Sequence, residues 1–251
     1  MRKIILSLMV FQLLSTPVIF GEEVEDILKI IQEKANQIDS YKGNFVLKMD
    51  TPQGEILMKG NALFKRQDKI KIEVNIPNVA NARQLTISNG ELMWQYLPFL
   101  KTASRIDLAS LRKEFGDAYF AYSKEDISRP LKDVEESSIK YLGKEKIGDD
   151  ECFVLEAEPK EGIPQEIPYS RVRSWIDTVL GIERKAVFYN SEGKEVFSRS
   201  YENISVNISI PDTEFEFFPP EGTEVIDVTE EAKRYIEKDK KSENHSLPSS
   251  P

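Results

Sequence analysis

The chain has 251 residues, a formal net charge of −9, one cysteine and one histidine. Its acidic balance excludes nucleic acid and anionic lipid headgroups as main partners, since both need a basic face. Cys152 has no second cysteine to pair with, and His245 stands in a polar stretch. A disulfide framework, a Ser-His-Asp or Cys-His nucleophile, a histidine-rich zinc site and an imidazole general base therefore each lack an essential residue.

Met1 to Gly21 reads as a secretory leader: cationic Arg2-Lys3, an apolar core from Ile4 to Leu14, then Pro17 before the small Gly21. That core is shorter than the roughly 20 residues a membrane span needs, and no cysteine follows it to carry a lipid. The expectation is export, cleavage near Gly21 and a soluble periplasmic product. From Glu22 a helical period begins, with Val24, Ile27, Leu28, Ile31, Ala35 and Ile38 on one stripe and a helix end near Tyr41-Lys42-Gly43.

Strands follow. Phe45, Leu47 and Met49 alternate with polar residues, and Thr51-Pro52-Gln53-Gly54 turns into Ile56 to Arg66. Ile70, Ile72, Val74 and Ile76 alternate next. Pro77 to Arg83 reads as a loop and Gln84 to Ser88 as a strand. Counting by twos puts Arg66 on the face of Phe64, Ala62, Gly60, Met58 and Ile56. Two readings of Arg66 stand: a strand-end arginine that snorkels to water, or a guanidinium aimed at the mouth of a cavity with carbonyl or carboxylate partners.

Asn89-Gly90 signals a tight hairpin of type I′, in which both central residues take positive φ. It leads into Leu92, Trp94 and Tyr96 on one face and Met93, Gln95 and Leu97 on the other, stopped by Pro98. The aromatic face serves equally as ordinary core or as the wall of a pocket for apolar cargo. After Leu100 the sheet pattern stops. A short helix spans Asp107 to Gly116, with an Asp cap and Leu108, Leu111 and Phe115 on one face, and Asp117 to Tyr122 extends it. Ser123 to Ser138 is a charged loop.

Strands resume at Ile139 to Ile147 and Cys152 to Glu158, with Cys152 as a buried, inert thiol. After a loop at Pro159 to Pro168 come Val172 to Asp177, Ile182 to Tyr189 and Lys194 to Val206. Phe215 to Pro220 is a short strand stopped by prolines. Residues 229–251 are a polar tail, disordered by composition. The pattern defines an α+β chain dominated by an antiparallel meander, with helices available to cover it.

Several of these pieces, in this order, resemble the periplasmic outer-membrane lipoprotein carrier family, the LolA-like or lipoprotein-sorting proteins. They are Gly60-Asn61-Ala62-Leu63-Phe64-Lys65-Arg66, Ser88-Asn89-Gly90 through Trp94-Gln95-Tyr96-Leu97-Pro98-Phe99, Trp175-Ile176-Asp177 with Gly181-Ile182, Phe215 to Gly222, and Val225-Ile226-Asp227. The resemblance implies an unclosed, strongly curved β half-barrel over residues 22–228, whose concave apolar face is covered by helices. It implies a carrier that holds acyl chains inside, receives lipoproteins from an inner-membrane lipoprotein-releasing ABC transporter and passes them to an outer-membrane acceptor. Arg66 maps onto the family's inward arginine, which latches the lid helices through their carbonyls. Three features depart from the pattern: Gln67 stands where proline often follows that arginine, the 123–138 segment is long, and the tail after Thr229 is extra.

The expected acyl-chain cavity is lined by Leu47, Met49, Met58, Phe64, Trp94, Tyr96 and Phe99, under lid helices carrying Ile27, Ile31, Leu108 and Leu111. No enzyme activity, cofactor, metal or nucleic-acid partner is expected, and the protein is expected to be a monomer. A second reading keeps the fold and makes the chain a lipid or lipoprotein sensor that regulates an envelope-stress signalling partner. A hydrolase built on paired carboxylates is the alternative of a different class. No carboxylate spacing singles out a pair for it.

Overall fold

Alternation at a period of two dominates the chain, and the computed structural model resolves it into a single twelve-stranded sheet. The structure describes residues 20–77, 82–116, 131, 134–160 and 168–245. Helix α1 (Phe20–Ala35) precedes β1 (Ser40–Thr51), β2 (Gly54–Lys65), β3 (Lys69–Asn75), β4 (Arg83–Asn89), β5 (Leu92–Leu97) and β6 (Thr102–Asp107). Helix α2 (Leu108–Phe115) follows, then β7 (Lys140–Ile147), β8 (Asp150–Ala157), β9 (Arg171–Asp177), β10 (Glu183–Tyr189) and β11 (Glu195–Val206). Strand β12 (Glu224–Asp227) and helix α3 (Thr229–His245) close the described chain. Most of the leader, Asp117 to Tyr122, and large parts of the 123–138 and 159–168 loops lie outside the described residues.

The strand order is β12-β6-β5-β4-β3-β2-β1-β11-β10-β9-β8-β7, so the sheet is open, with β12 and β7 as edges. Every pairing is antiparallel except β12 on β6, which is parallel. The two meanders, β1 to β6 and β7 to β11, meet at one seam where β1 pairs β11. Paired residues share a face. One face therefore carries the row Met58, Leu47, Arg199, Ala186, Ser174, Leu155 and, beside it, Ile56, Met49, Phe197, Phe188, Val172, Ala157. Farther along the same face run Phe64, Ile70, Ser88, Met93 and Ile106.

Helix α1 packs on this face. Its Val24, Ile27 and Ile31 form one buried cluster with Phe153, Leu155, Ala157, Val172, Ile176 and Ala186 from β8, β9 and β10. We call it the helix face. Helix α2 begins at the expected cap, where Asp107 Oδ1 accepts from Ser110 N at 2.8 Å, and ends at Gly116. Its Leu108 and Leu111 pack with Met93, Ile106 and two residues of α3, Ala232 and Ile236.

The opposite face is crossed by the chain after β11, a short 3₁₀ turn at Asp212–Phe215 continuing through Phe217. Phe215 is 1% exposed, and the Phe217 ring lies 5.5 Å from Trp94 and 5.3 Å from Tyr96. This segment acts as a strap, and we call its side the strap face.

Five expectations are corrected. The first helix ends at Ala35, well before Tyr41, because Ser40 already pairs with Lys65. Strand β6 lies where the pattern had stopped, and Phe215 to Pro220 is strap rather than strand. Residues 229–245 form α3 instead of a disordered tail, since Ala232 and Ile236 give a polar helix an apolar side to dock. At Asn89-Gly90 only glycine takes positive φ, at 94°. The turn is built on the Asn89 side chain instead, whose Oδ1 accepts from Glu91 N and Leu92 N at 3.0 and 2.9 Å.

The β2–β3 turn explains the residue after Arg66. Gln67 has φ of 72° and Asp68 58°, a region closed to proline's fixed φ. Replacing Gln67 with proline is expected to destabilise the fold by more than ~1 kcal/mol, while glycine there is neutral or stabilising. Urea unfolding of the two variants checks it.

Candidate functional site: an apolar strip beside helix α1

Strands β1, β2 and β3 continue the helix face beyond the buried cluster that α1 covers. Phe45 is buried, while Leu47, Met49, Ile56, Met58, Ile72 and Val74 are half-buried, as are Phe197 and Tyr201 of β11. Period-two alternation placed them together. They form an apolar strip with solvent access, able to accept an apolar ligand.

On its β11 side the strip meets a buried polar group, and on its β4 side Thr86 and Gln84 stand opposite Ile72 and Val74. Arg199 pairs with Glu183, Nε to Oε1 at 2.5 Å and Nη2 to Oε2 at 3.2 Å. Ser174 Oγ donates to the same carboxylate at 3.1 Å. The guanidinium carbon lies 5.4 Å from the Phe188 ring centre. Arg199 stands in register between Leu47 and Ala186, where the open strip meets the covered core. The sequence reading missed this trio, although counting by twos along Phe197, Arg199 and Tyr201 signals an arginine among inward aromatics.

The expected lining residues divide. Leu47, Met49 and Met58 are neighbours on the strip: Leu47 pairs Met58, and both it and Met49 lie on β1. Phe64 is on the same face but is plain core with Ile38, Tyr41, Ile70 and Ile182. Trp94 and Tyr96 lie on the strap face, in register with Ile87 and Leu85, against Phe217. Phe99 is 46% exposed in the β5–β6 turn. Parity grouped Trp94 with Tyr96 correctly, but the expected lining set them with Phe64, whose row runs through Ile70 and Ser88 to Met93 and not to Trp94. Of the expected lid residues, Ile27 and Ile31 join the α1 cluster and Leu108 and Leu111 the separate α2–α3 cluster.

Arg66 is exposed, as a strand-end arginine that reaches water would be, and it also has carbonyl and carboxylate partners. Nη2 donates to the carbonyl of Asn36, just past the end of α1, at 2.5 Å, and the guanidinium pairs with Asp39. A cation there also complements the helix C-terminus. The same end of α1 is held elsewhere. Lys34 Nζ donates to Val179 O at 3.1 Å, and Asn207 Nδ2 to Gln37 O at 3.1 Å. A Cβ on Gly181, whose φ is 70°, would stand 2.6 Å from Ile31 O. The β9–β10 turn that brings Gly181 there is fixed by buried Asp177, which accepts from Val179 N, Leu180 N and the Arg184 guanidinium.

Asp68, from the same turn as Arg66, pairs with Arg112 of α2. Arg112 Nη1 also donates to Gly90 O at 2.6 Å. The single turn between β2 and β3 thus holds the ends of both helices.

Burial pushes the Cys152 thiol up to about 11 and raises the Tyr41 hydroxyl beyond its usual range. Both are structural. Among the described residues no cluster of three His, Cys, Asp or Glu side chains is arranged to hold a metal, and no helix is long and apolar enough to cross a membrane.

Comparison with known proteins shows a resemblance to outer-membrane lipoprotein carrier proteins. Over 119 residues the chain is 24% identical to an outer-membrane lipoprotein carrier protein of Proteus mirabilis, 46% of this chain and 55% of that protein. Over 207 residues it is 22% identical to an uncharacterized protein of Methanocaldococcus jannaschii, 80% of this chain and 53% of the other. The chain spans about half the length of these curated relatives. An uncharacterized conserved protein of Thermus thermophilus shares the fold, with a TM-score of 0.52 at 9% identity over 82% of this chain and 99% of that one. A family model described as uncharacterized-protein-like matches residues 66–213, more than half of the chain, and the chain belongs to that family.

The strap carries a pH dependence. Hydrogen bonds from Lys65 and Lys69 hold Asp212 down to about 2, and Lys71 lowers Glu214. A carboxyl depressed from 3.8 in the folded state contributes its stabilisation above that value and loses it as pH falls toward about 2. Emission from Trp94 in a Trp175→Phe background is expected to change across that window, and Asp212→Asn to reduce the change.

Proposed function

We propose that the protein is an exported, non-enzymatic carrier that binds acyl chains along the apolar strip of the helix face and moves lipoproteins through the periplasm. The observation that carries this reading is that α1 packs on β8 to β10, while Leu47, Met49, Ile56 and Met58 are left half-buried beside it. An apolar surface of this kind has a physical use. Burial is worth about 0.8 kcal/mol per CH₂, so a chain of about fifteen methylenes carries roughly 12 kcal/mol and will not cross water unaided. Similarity to a lipoprotein carrier supports the cargo class.

In this reading the helices flank the acyl chains and Arg66 latches α1 through the Asn36 carbonyl. The inner-membrane ABC transporter that releases lipoproteins and the outer-membrane acceptor are the proposed donor and recipient. Trp94 and Tyr96 have no part in the cavity, since they face the strap.

Displacement of a neutral dye, Nile red, by an acylated peptide tests the proposal. Leu47→Gln and Met58→Gln are expected to weaken acyl binding about tenfold each, while Trp94→Leu on the other face leaves it within about twofold. Equal losses from both faces, or a wild-type protein indifferent to acyl probes, overturn it. Arg66→Leu is expected to speed amide exchange in the last turn of α1 and to quicken ligand release, measured by hydrogen exchange and stopped flow.

A further inference from the structure

Burial is graded along the strip. On β1, Tyr41 and Phe45 are buried, Leu47 and Met49 are half-buried, and Pro52 to Glu55 in the hairpin beyond them are exposed. Strand β2 runs the same way, from buried Phe64 through half-buried Met58 and Ile56 to that hairpin. The strip therefore has a closed end at Tyr41 and Phe45 and an open end at the β1–β2 hairpin. Beside the opening, Lys194 of the β10–β11 hairpin pairs with Asp50 at 2.5 Å.

Glycines build the closed end. Gly43 stands opposite Ala62 and Gly60 opposite Phe45, all in the rows of the helix face, and neither glycine has room for a Cβ. On Gly43 that atom would overlap the Tyr41 hydroxyl, and on Gly60 it would overlap Phe45 Cζ and the Glu73 carbonyl oxygen. The two rings thus lie down on the sheet where side chains are missing. Phe45 belongs neither to the cluster under α1 nor to the cluster of Tyr41, Phe64 and Ile70. Its neighbours along β1 and across to β11 are half-buried Leu47 and Tyr201. A ring seated on backbone yields little, and forcing a methylene into such packing costs at least what its burial returns.

From Phe45 to Met49, β1 runs about 13 Å at about 3.3 Å per residue. A chain lying along it ends inward at the rings, and any surplus methylenes stand in water past the hairpin. A headgroup at the closed end would be stripped of water, so the apolar end of a ligand suits it. Resting on the acyl-carrier reading above, we infer that Tyr41 and Phe45 are an end wall that sets the length of acyl chain the strip holds, with the methyl end against their rings and the polar end leaving at the β1–β2 hairpin.

The test is a series of one peptide N-acylated with saturated chains from octanoyl to stearoyl, each competing with bound Nile red. In wild type, each added methylene is expected to tighten binding about fourfold until the chain fills the strip, and then by less than about twofold. In Phe45→Leu the wall recedes, the break moves to a longer chain, and the stearoyl-to-lauroyl affinity ratio rises about tenfold over wild type. Phe45→Met, unbranched and closer in volume, is expected to change the ratio in the same direction and serves as the readout where the leucine variant does not fold. Trp94→Leu on the strap face is expected to leave the break where it is. A break unmoved in the Phe45 variants, or a wild-type affinity that climbs without a break through stearoyl, overturns the end wall and leaves the carrier reading intact. A wild-type protein that binds no member of the series overturns both.

Discussion

A sheet has two faces, and a twelve-stranded one presents far more apolar surface than a short chain can leave wet. Everything else in this protein answers that constraint. On one face α1 covers the strands of the second meander, and α2 with α3 close the far end. On the other, the strap brings Phe215 and Phe217 across β3 to β5, and Lys65, Lys69 and Lys71 neutralise the carboxylates it carries. What remains half-covered is the strip on β1 to β3. Its partial exposure contrasts with the buried clusters under α1 and between α2 and α3.

The helix ends are placed by turns rather than by the helices' own packing alone. Arg66 and Asp68 project from a turn whose backbone is fixed in the left-handed region, and they hold α1 and α2 respectively. Gly181 allows α1 to approach the β9–β10 turn. These contacts are mostly exposed and individually weak. Together they set where α1 stops, and hence how wide the open strip is.

Much of this was legible in the sequence. Ten of the strands announce themselves by alternation or by turn residues, and Asp107 and Gly116 bracket α2 as their chemistry dictates. Strands β6 and β12 did not, because Thr102–Asp107 mixes polar and apolar residues on both faces and its partner Glu224–Asp227 lies far along the chain. Parity told which residues share a face but was silent about what covers it. Trp94 and Tyr96 therefore read as a pocket wall, when the strap residue Phe217 is their partner. The Arg199–Glu183 pair was missed for a related reason: two charges in separate strands look like solvated surface until register brings them together.

The single seam between the meanders governs the order in which the chain assembles. Strand β1 pairs with β2 through a tight local turn, but its other edge waits for β11, so that Phe45 must find Tyr201 across most of the chain. Non-local pairing of this kind slows folding, and an unfilled β edge is a template for aggregation in the meantime. Lys42, Asn44 and Lys48 punctuate β1, and such residues blunt an open edge. The strand at the centre of the finished sheet is thus written as though it were an edge, which it is until nearly the last strand arrives.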